Sequence, residues 1–390
     1  MKINMQPKKK LCCVATISTT VEEFMVPAME KFRKNGYDIT FIANMTPEFI
    51  EKYGHDYNCI DLKMKRAISL HDIVVMPLKF YRIFRREKFD YVQYATTLAS
   101  LYASVAAWSA RIPTRVACLW GISFYTKKGL ARFITRWSEK LPCMFATHTS
   151  IPSRKNQQIG ADGGLFKLKD SSVVGDGGTV GVDLKRFDIS SREEFKTSVL
   201  EEIPVLKEKI VYGFLGRIYR DKGINELLEA YLKIRNNDTA LLLIGNMDQA
   251  QSPPDAELLN KARQCEDIVF LGFTREVAKY LSAVDILVHP TYHEGFSMAL
   301  QQAMAMGCGI ITTDVAGPSE VIEDGISGIT VPVKDPGALA DAMQEMMKGD
   351  IRNKYIDNGL KRVREKFTRE RMVELTYINR KAIMAGEKFE

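Results

Sequence analysis

Gly213-Phe-Leu-Gly216-Arg217-Ile-Tyr-Arg220-Asp-Lys222-Gly223 runs from an apolar stretch into glycine, then through a cationic loop, and delivers the chain to the amphipathic segment Ile224–Lys233. The order is strand, loop, helix. In open α/β sheets ligands bind beyond the carboxyl ends of the strands, where helix N-termini offer free N–H groups to anions. Arg217 and Lys222 therefore read either as a diphosphate clamp or as solvated loop charges. A second passage repeats the arrangement: Ile286–His289 is a strand, Pro290-Thr-Tyr-His293-Glu294 a loop, and a helix begins near Ser297. The N–H groups of Gly295, Phe296, Ser297 and Met298 then face whatever Glu294 faces. Without a ligand, Glu294 reads as an acid complementing a helix start.

The same alternation extends in both directions. Strand candidates Ala240–Ile244, Ile268–Leu271 and Gly309–Thr312 join Ile210–Leu215, and earlier come Leu11–Ile17, Ile39–Ile42, Val116–Leu119 and Met144–Ala146. Helical segments such as Val21–Lys34 and Leu70–Glu87 separate them, and uncharged Tyr91–Ala110 reads as a strand followed by a buried helix. Alternation of this kind predicts an α/β fold with largely parallel sheets. With 390 residues, 46% hydrophobic and 26% charged, the chain suits two domains. The expected division is 1–180, 181–367 and a closing helix over 368–390 that packs back on the first domain.

Seven dispersed cysteines without a C-x-x-C pair argue against a disulfide framework or zinc site. Residues 1–170 carry 27 Lys and Arg against 14 Asp and Glu, and the remainder 28 against 34. A basic front half suits anionic lipid, phosphorylated substrate or nucleic acid, and charge alone does not choose. The glycines of Gly175–Gly181 do not fall as G-x-G-x-x-G and no phosphate loop occurs, so neither a dinucleotide fingerprint nor a Walker motif is present. No recognisable nucleic-acid-reading module occurs, so nucleic acid is not an expected partner. Lys128, Arg132, Arg136 and Lys140 recur along a predicted helix with Phe133, Ile134, Trp137 and Leu141. Pro77–Phe89 mixes aromatic and basic residues similarly. Such stripes suit an anionic membrane surface or, equally, a helix with its aromatics turned inward.

The strings G-R-x-x-x-x-K-G, H-E-G-F-x-x-x-L-x-x-A-M-A-x-G, T-x-D-V-A-G-x-x-E-V-I and D-G-x-S-G-x-x-V resemble family 4 of the retaining glycosyltransferases. They are most similar to bacterial capsule, O-antigen and protein-glycan transferases. The resemblance is dense from about Lys209 to Asp341 and includes Gly175–Phe187, which keeps the family's interdomain shape with glycine at a serine position. It implies the GT-B fold: two Rossmann-like doubly wound domains facing across a cleft. It implies that Arg217 and Lys222 hold the diphosphate of a nucleotide-sugar donor, UDP-linked by expectation, and that Glu294 contacts the donor sugar. Gly216, His293, Gly295, Phe296, Ser297 and Met298 line the donor, and Gly272, Phe273 and Thr274 receive the base. Ser18, Thr19 and Thr20, read as a loop, border the acceptor pocket with Trp120 and Gly121.

Two positions depart from the family. The second glutamate of its pair is Gln302, an uncharged group weaker by roughly 1 kcal/mol as a ribose acceptor. Its front-domain histidine is Trp120, which does no acid/base work. His55 and His71 read as surface positions, and His148 and His289 as structural, so no protein base is assigned. No D-x-D signature occurs, and the resemblance implies metal-independent transfer without a cofactor. The expected acceptor is a glycan or a polyprenyl-diphosphate-linked saccharide. The expected location is the cytoplasm, at the inner face of the membrane. The alternative is a degenerate subunit that binds nucleotide or glycan without turnover, suggested by Gln302 and Trp120.

Overall fold

Leu11-Cys-Cys-Val-Ala15 is apolar at every position, and a strand with that pattern needs cover on both faces. The structure, a computed structural model, supplies it. Cys12 and Val14 join one hydrophobic cluster with Phe80 and Phe84, and Leu11, Cys13 and Ala15 join another with Phe32 and Phe41. The structure describes residues 8–65, 69–247 and 252–387; residues 1–7, 66–68, 248–251 and 388–390 of the expected segments lie outside the described residues. The chain divides into two units, Met1–Val180 with Glu370–Glu390, and Gly181–Arg369.

The N-terminal unit holds strands β1 (Lys10–Ile17), β2 (Asp38–Asn44), β3 (Asn58–Asp61), β4 (Tyr91–Tyr94), β5 (Thr114–Cys118), β6 (His148–Ile151) and β7 (Ser171–Val173). Their order is β3-β2-β1-β4-β5-β6-β7, and every pairing is parallel. Helix Arg369–Ala385 belongs to this unit. Its Tyr377 ring packs 4.7 Å from that of Phe32, and its buried Arg380 donates to Ser150 Oγ at 2.7 Å.

The C-terminal unit repeats the scheme with β8 (Ile210–Leu215), β9 (Thr239–Ile244), β10 (Ile268–Gly272), β11 (Ile286–His289), β12 (Gly309–Thr313) and β13 (Ile329–Val331). The order is β10-β9-β8-β11-β12-β13, again parallel. Each unit is thus a doubly wound Rossmann-like layer, the two-domain α/β architecture of the GT-B class. The order reverses between β8 and β11. That reversal opens a crevice at the carboxyl ends of these two strands.

Three local expectations are corrected. Met144–Ala146 is no strand: helix Gly129–Met144 ends there, and the strand is His148–Ile151. Its polar residues misled the apolar criterion, since His148, Thr149 and Ser150 are buried. The segment Val21–Lys34 is two helices, Ser18–Phe24 and Val26–Lys34, with Pro27 in the first turn of the second. Proline lacks the N–H an interior turn needs, so it suits a fresh start. The Ser18–Thr20 stretch is consequently the first turn of a helix, not a loop.

Candidate active site

β8 ends at Leu215, and Gly216-Arg217-Ile218-Tyr219 leads into a short 3-10 turn, Arg220–Lys222, before helix Ile224–Ile234. The turn is closed by Lys222 N donating to Tyr219 O at 3.0 Å. Gly223 follows in the left-handed conformation at φ +71°, and a Cβ there would lie 2.0 Å from Pro290 O. Only glycine lets the loop after β8 approach the loop after β11 this closely. The two loops are then stitched: Tyr292 N donates to Asp221 O at 2.9 Å, Tyr292 Oη to Glu226 Oε1 at 2.6 Å, and His293 Nε2 lies 3.6 Å from Asp221 Oδ2.

This stitching brings Lys222 and Glu294 together. Lys222 Nζ hydrogen-bonds to Glu294 Oε1, and the side chains are 10% and 26% exposed. Burial alone would raise the Glu294 carboxyl, but the Lys222 ammonium and the adjacent His289 ring hold it far below the usual carboxylate range. His289 Nε2 is 3.6 Å from the same Oε1 and 3.3 Å from Ser297 Oγ. The His289 ring is 2% exposed and stacked on Phe214 with centroids 6.1 Å apart. Its burial pushes the imidazole below its ordinary value. Nδ1 is buried with no hydrogen-bond partner. A buried lone pair costs less than an orphaned N–H, so the neutral ring carries its proton on Nε2, toward Glu294.

The helix after Glu294 runs Met298–Ala305, with Ser297 as N-cap accepting from Leu300 N. Gly295, Phe296 and Ser297 are buried, whereas Met298, Ala299 and Gln302 lie on the more open side. Gln301, not singled out from sequence, is fully buried; its amide donates to Ser297 O at 3.3 Å while Oε1 lacks a partner. Arg217 is exposed, with its guanidinium 5.0 Å from the Tyr219 ring centre.

At the end of β10, Gly272 and Thr274 are half-buried and Phe273 is 69% exposed. Phe273 N donates to Asn246 Oδ1 at 3.0 Å. The ends of β8, β9 and β10 meet backbone to backbone: Gly245 N donates to Gly272 O at 2.8 Å, and a Cβ on Gly245 would lie 1.9 Å from Gly216 O. Among the described residues no group of three or more His, Cys, Asp or Glu side chains is placed to hold a metal ion.

Sequence reasoning missed His289, whose role follows from a Pro290 turn rather than from any helical or strand spacing. It also missed Asn246 and Asp221, which act through the backbone of neighbouring loops. In the N-terminal unit the residues expected near an acceptor gather at the carboxyl ends of β1 and β5. The Trp120 ring lies 5.1 Å from that of Phe24 at the end of the helix that Ser18 opens. Ser18 itself is buried, Thr19 is exposed, and Thr20, Trp120 and Gly121 are half-buried.

Residues 209–349 match the family described as "Glycosyl transferases group 1", and residues 10–148 the family "Glycosyl transferase 4-like". The chain is 26% identical over 365 residues to the capsular polysaccharide biosynthesis glycosyltransferase CapM of Staphylococcus aureus, covering 92% of this chain and 93% of that one. It is 26% identical over 340 residues to the N,N'-diacetylbacillosaminyl-diphospho-undecaprenol alpha-1,3-N-acetylgalactosaminyltransferase of Campylobacter jejuni, covering 85% and 87%. Among solved structures, Anabaena HepE in complex with UDP and glucose superposes with a TM-score of 0.79 at 15% identity, covering 96% and 100%.

Proposed function

From the premise that this chain belongs to the GT-B glycosyltransferases related to bacterial capsule, O-antigen and glycan biosynthesis, we propose that it moves a sugar, with retention, from a UDP-sugar to a glycan or polyprenyl-diphosphate-linked saccharide. The observation that carries the reading is the Lys222–Glu294 pair at the sheet's reversal point, a buried ammonium held against a half-buried, ionised carboxylate. The named relatives support the donor and acceptor classes, since one acts on a diphospho-undecaprenol-linked substrate and one fold neighbour holds UDP.

In the proposed reaction the bond between the anomeric carbon and the diphosphate breaks, and the nucleoside diphosphate leaves with the bonding pair. The acceptor hydroxyl attacks the same face, and its proton passes to the departing phosphate oxygen. Lys222 and Arg217 then face negative charge that grows toward the transition state, which fixed cations stabilise more than the ground state. Glu294, kept ionised, accepts hydrogen bonds from the donor sugar's hydroxyls. Gly272–Thr274 lie against the base and Gln302 toward the ribose. Ser18–Thr20, Trp120 and Gly121 lie on the acceptor side. The two cations do the neutralising that a metal does elsewhere, so no cofactor is needed.

A panel of UDP- and GDP-sugars, followed by mass spectrometry with and without lipid-linked acceptors, tests this. Saturable donor turnover is expected, with Lys222→Ala and Glu294→Gln each reduced about 10²–10³-fold. Unchanged turnover in both variants would sink the assignment.

A further inference from the structure

We propose that the N-terminal unit docks on an anionic lipid bilayer through helices Leu70–Glu87 and Gly129–Met144. In Gly129–Met144 the residues Leu130, Phe133, Ile134, Trp137, Leu141 and Met144 form a stripe about 100° wide. A stripe of that width ordinarily faces the core. Here it faces solvent: Leu130 is 73% exposed, Phe133 59%, Ile134 57% and Trp137 40%. Of the whole helix, only Pro142 and Cys143 are buried.

Helix Leu70–Glu87 is divided. Met76, Phe80 and Phe84 enter the core, while Ile73, Val74, Leu78 and Tyr81 are exposed. Both helices pack against Thr97–Ser109, whose Trp108 is exposed as well. All three connect strands stepping in one direction across the sheet, so right-handed crossovers place them on the same side.

Charge selects the occupant. Lys79, Arg82, Arg85, Arg86, Lys128 and Arg132 are exposed on these helices and their ends. The acids are withdrawn: Asp72 is buried, Glu87 pairs with Arg86 at 2.8 Å, and Glu139 accepts from Ser123 N at 2.8 Å. A second copy of this face would set cations against their own duplicates, which disfavours a symmetric dimer. An anionic bilayer takes both components, the apolar residues below the headgroups and the cations among them. Among the described residues no helix is long and apolar enough to cross a membrane, so the contact is one of surface. It does not depend on the donor chemistry.

The test is co-sedimentation of the full chain with phosphatidylcholine vesicles, plain or with about one third phosphatidylglycerol. Expected are binding to the anionic vesicles alone, release by salt, and quenching of tryptophan emission by brominated acyl chains. The double variant Phe133→Ser/Trp137→Ser should partition about tenfold less, and Lys79→Gln/Arg82→Gln/Arg85→Gln should lose the preference for phosphatidylglycerol. Circular dichroism and melting identical to the parent establish that the variants fold. Equal binding by parent and variants, no binding by the parent, or a parent dimer that Phe133→Ser/Trp137→Ser makes monomeric without changing sedimentation would each overturn the proposal.

Discussion

His289 shows how a buried neighbour can position a carboxylate proposed to act on the donor. Its Nε2 and the Lys222 ammonium address the same oxygen of Glu294, which fixes the carboxylate between a charge and a directional donor. Replacing His289 with leucine removes an N–H that lies 3.3 Å from Ser297 Oγ and 3.6 Å from the Glu294 carboxylate, about 0.5–1.5 kcal/mol, and should lower kcat/KM roughly two- to tenfold. Glutamine at 289 can return an N–H near the Nε2 position and should recover most of that loss. Steady-state kinetics of both variants decides the matter: equal damage would reduce His289 to a space filler. The Lys222–Glu294 pair proposed to meet the donor was legible in the sequence because both residues follow apolar runs at strand ends. His289 was not, because it meets Glu294 around a proline turn that no periodic pattern describes.

Elements meet here through backbone as much as through side chains. Gly245 sits at φ +145° with Gly216 O where its Cβ would be, so the ends of β8, β9 and β10 converge only if that position carries no side chain. Gly245→Ala is expected to cost ~2–3 kcal/mol or more, since the obstructing atom is main chain and a side chain there is strained as well. Urea unfolding would show it; a midpoint like the parent's would mean the loops are looser than described. The alternation that announced two parallel sheets was readable because strands covered on both faces are continuously apolar. β6 broke that rule. Its Ser150 is satisfied by Arg380, separated from it by 230 positions, a partner no local window contains. Likewise the spacing of Phe133, Ile134 and Trp137 gave a stripe but not the side on which the sheet lies.

The pH dependence of folding belongs to the molecule as a whole, and His148 makes a defined contribution. Burial, aided by the nearby Arg380 charge, pushes its imidazole down from 6.5 to about 4. His148 is 7% exposed, and its Nε2 lies 2.8 Å from Ser172 Oγ. Below the ordinary value the unfolded chain takes up a proton that the folded chain refuses, so stability falls as the pH drops. The loss begins near pH 6.5, accumulates to ~3 kcal/mol, and levels off below about pH 4. Denaturant titrations of the parent and His148→Gln at pH 7 and pH 5 should show a smaller loss in the variant. Parallel losses would assign the acid sensitivity to other groups.

All of this converges on where the donor's diphosphate sits. The most direct measurement is a crystal structure of the chain with bound UDP. Pyrophosphate oxygens are expected within about 3 Å of Lys222 Nζ, with Arg217 turned to the same group and the base against Gly272–Thr274. A nucleotide lodged away from the carboxyl ends of β8 and β11, with Lys222 still held by Glu294 and remote from any phosphate, would contradict it.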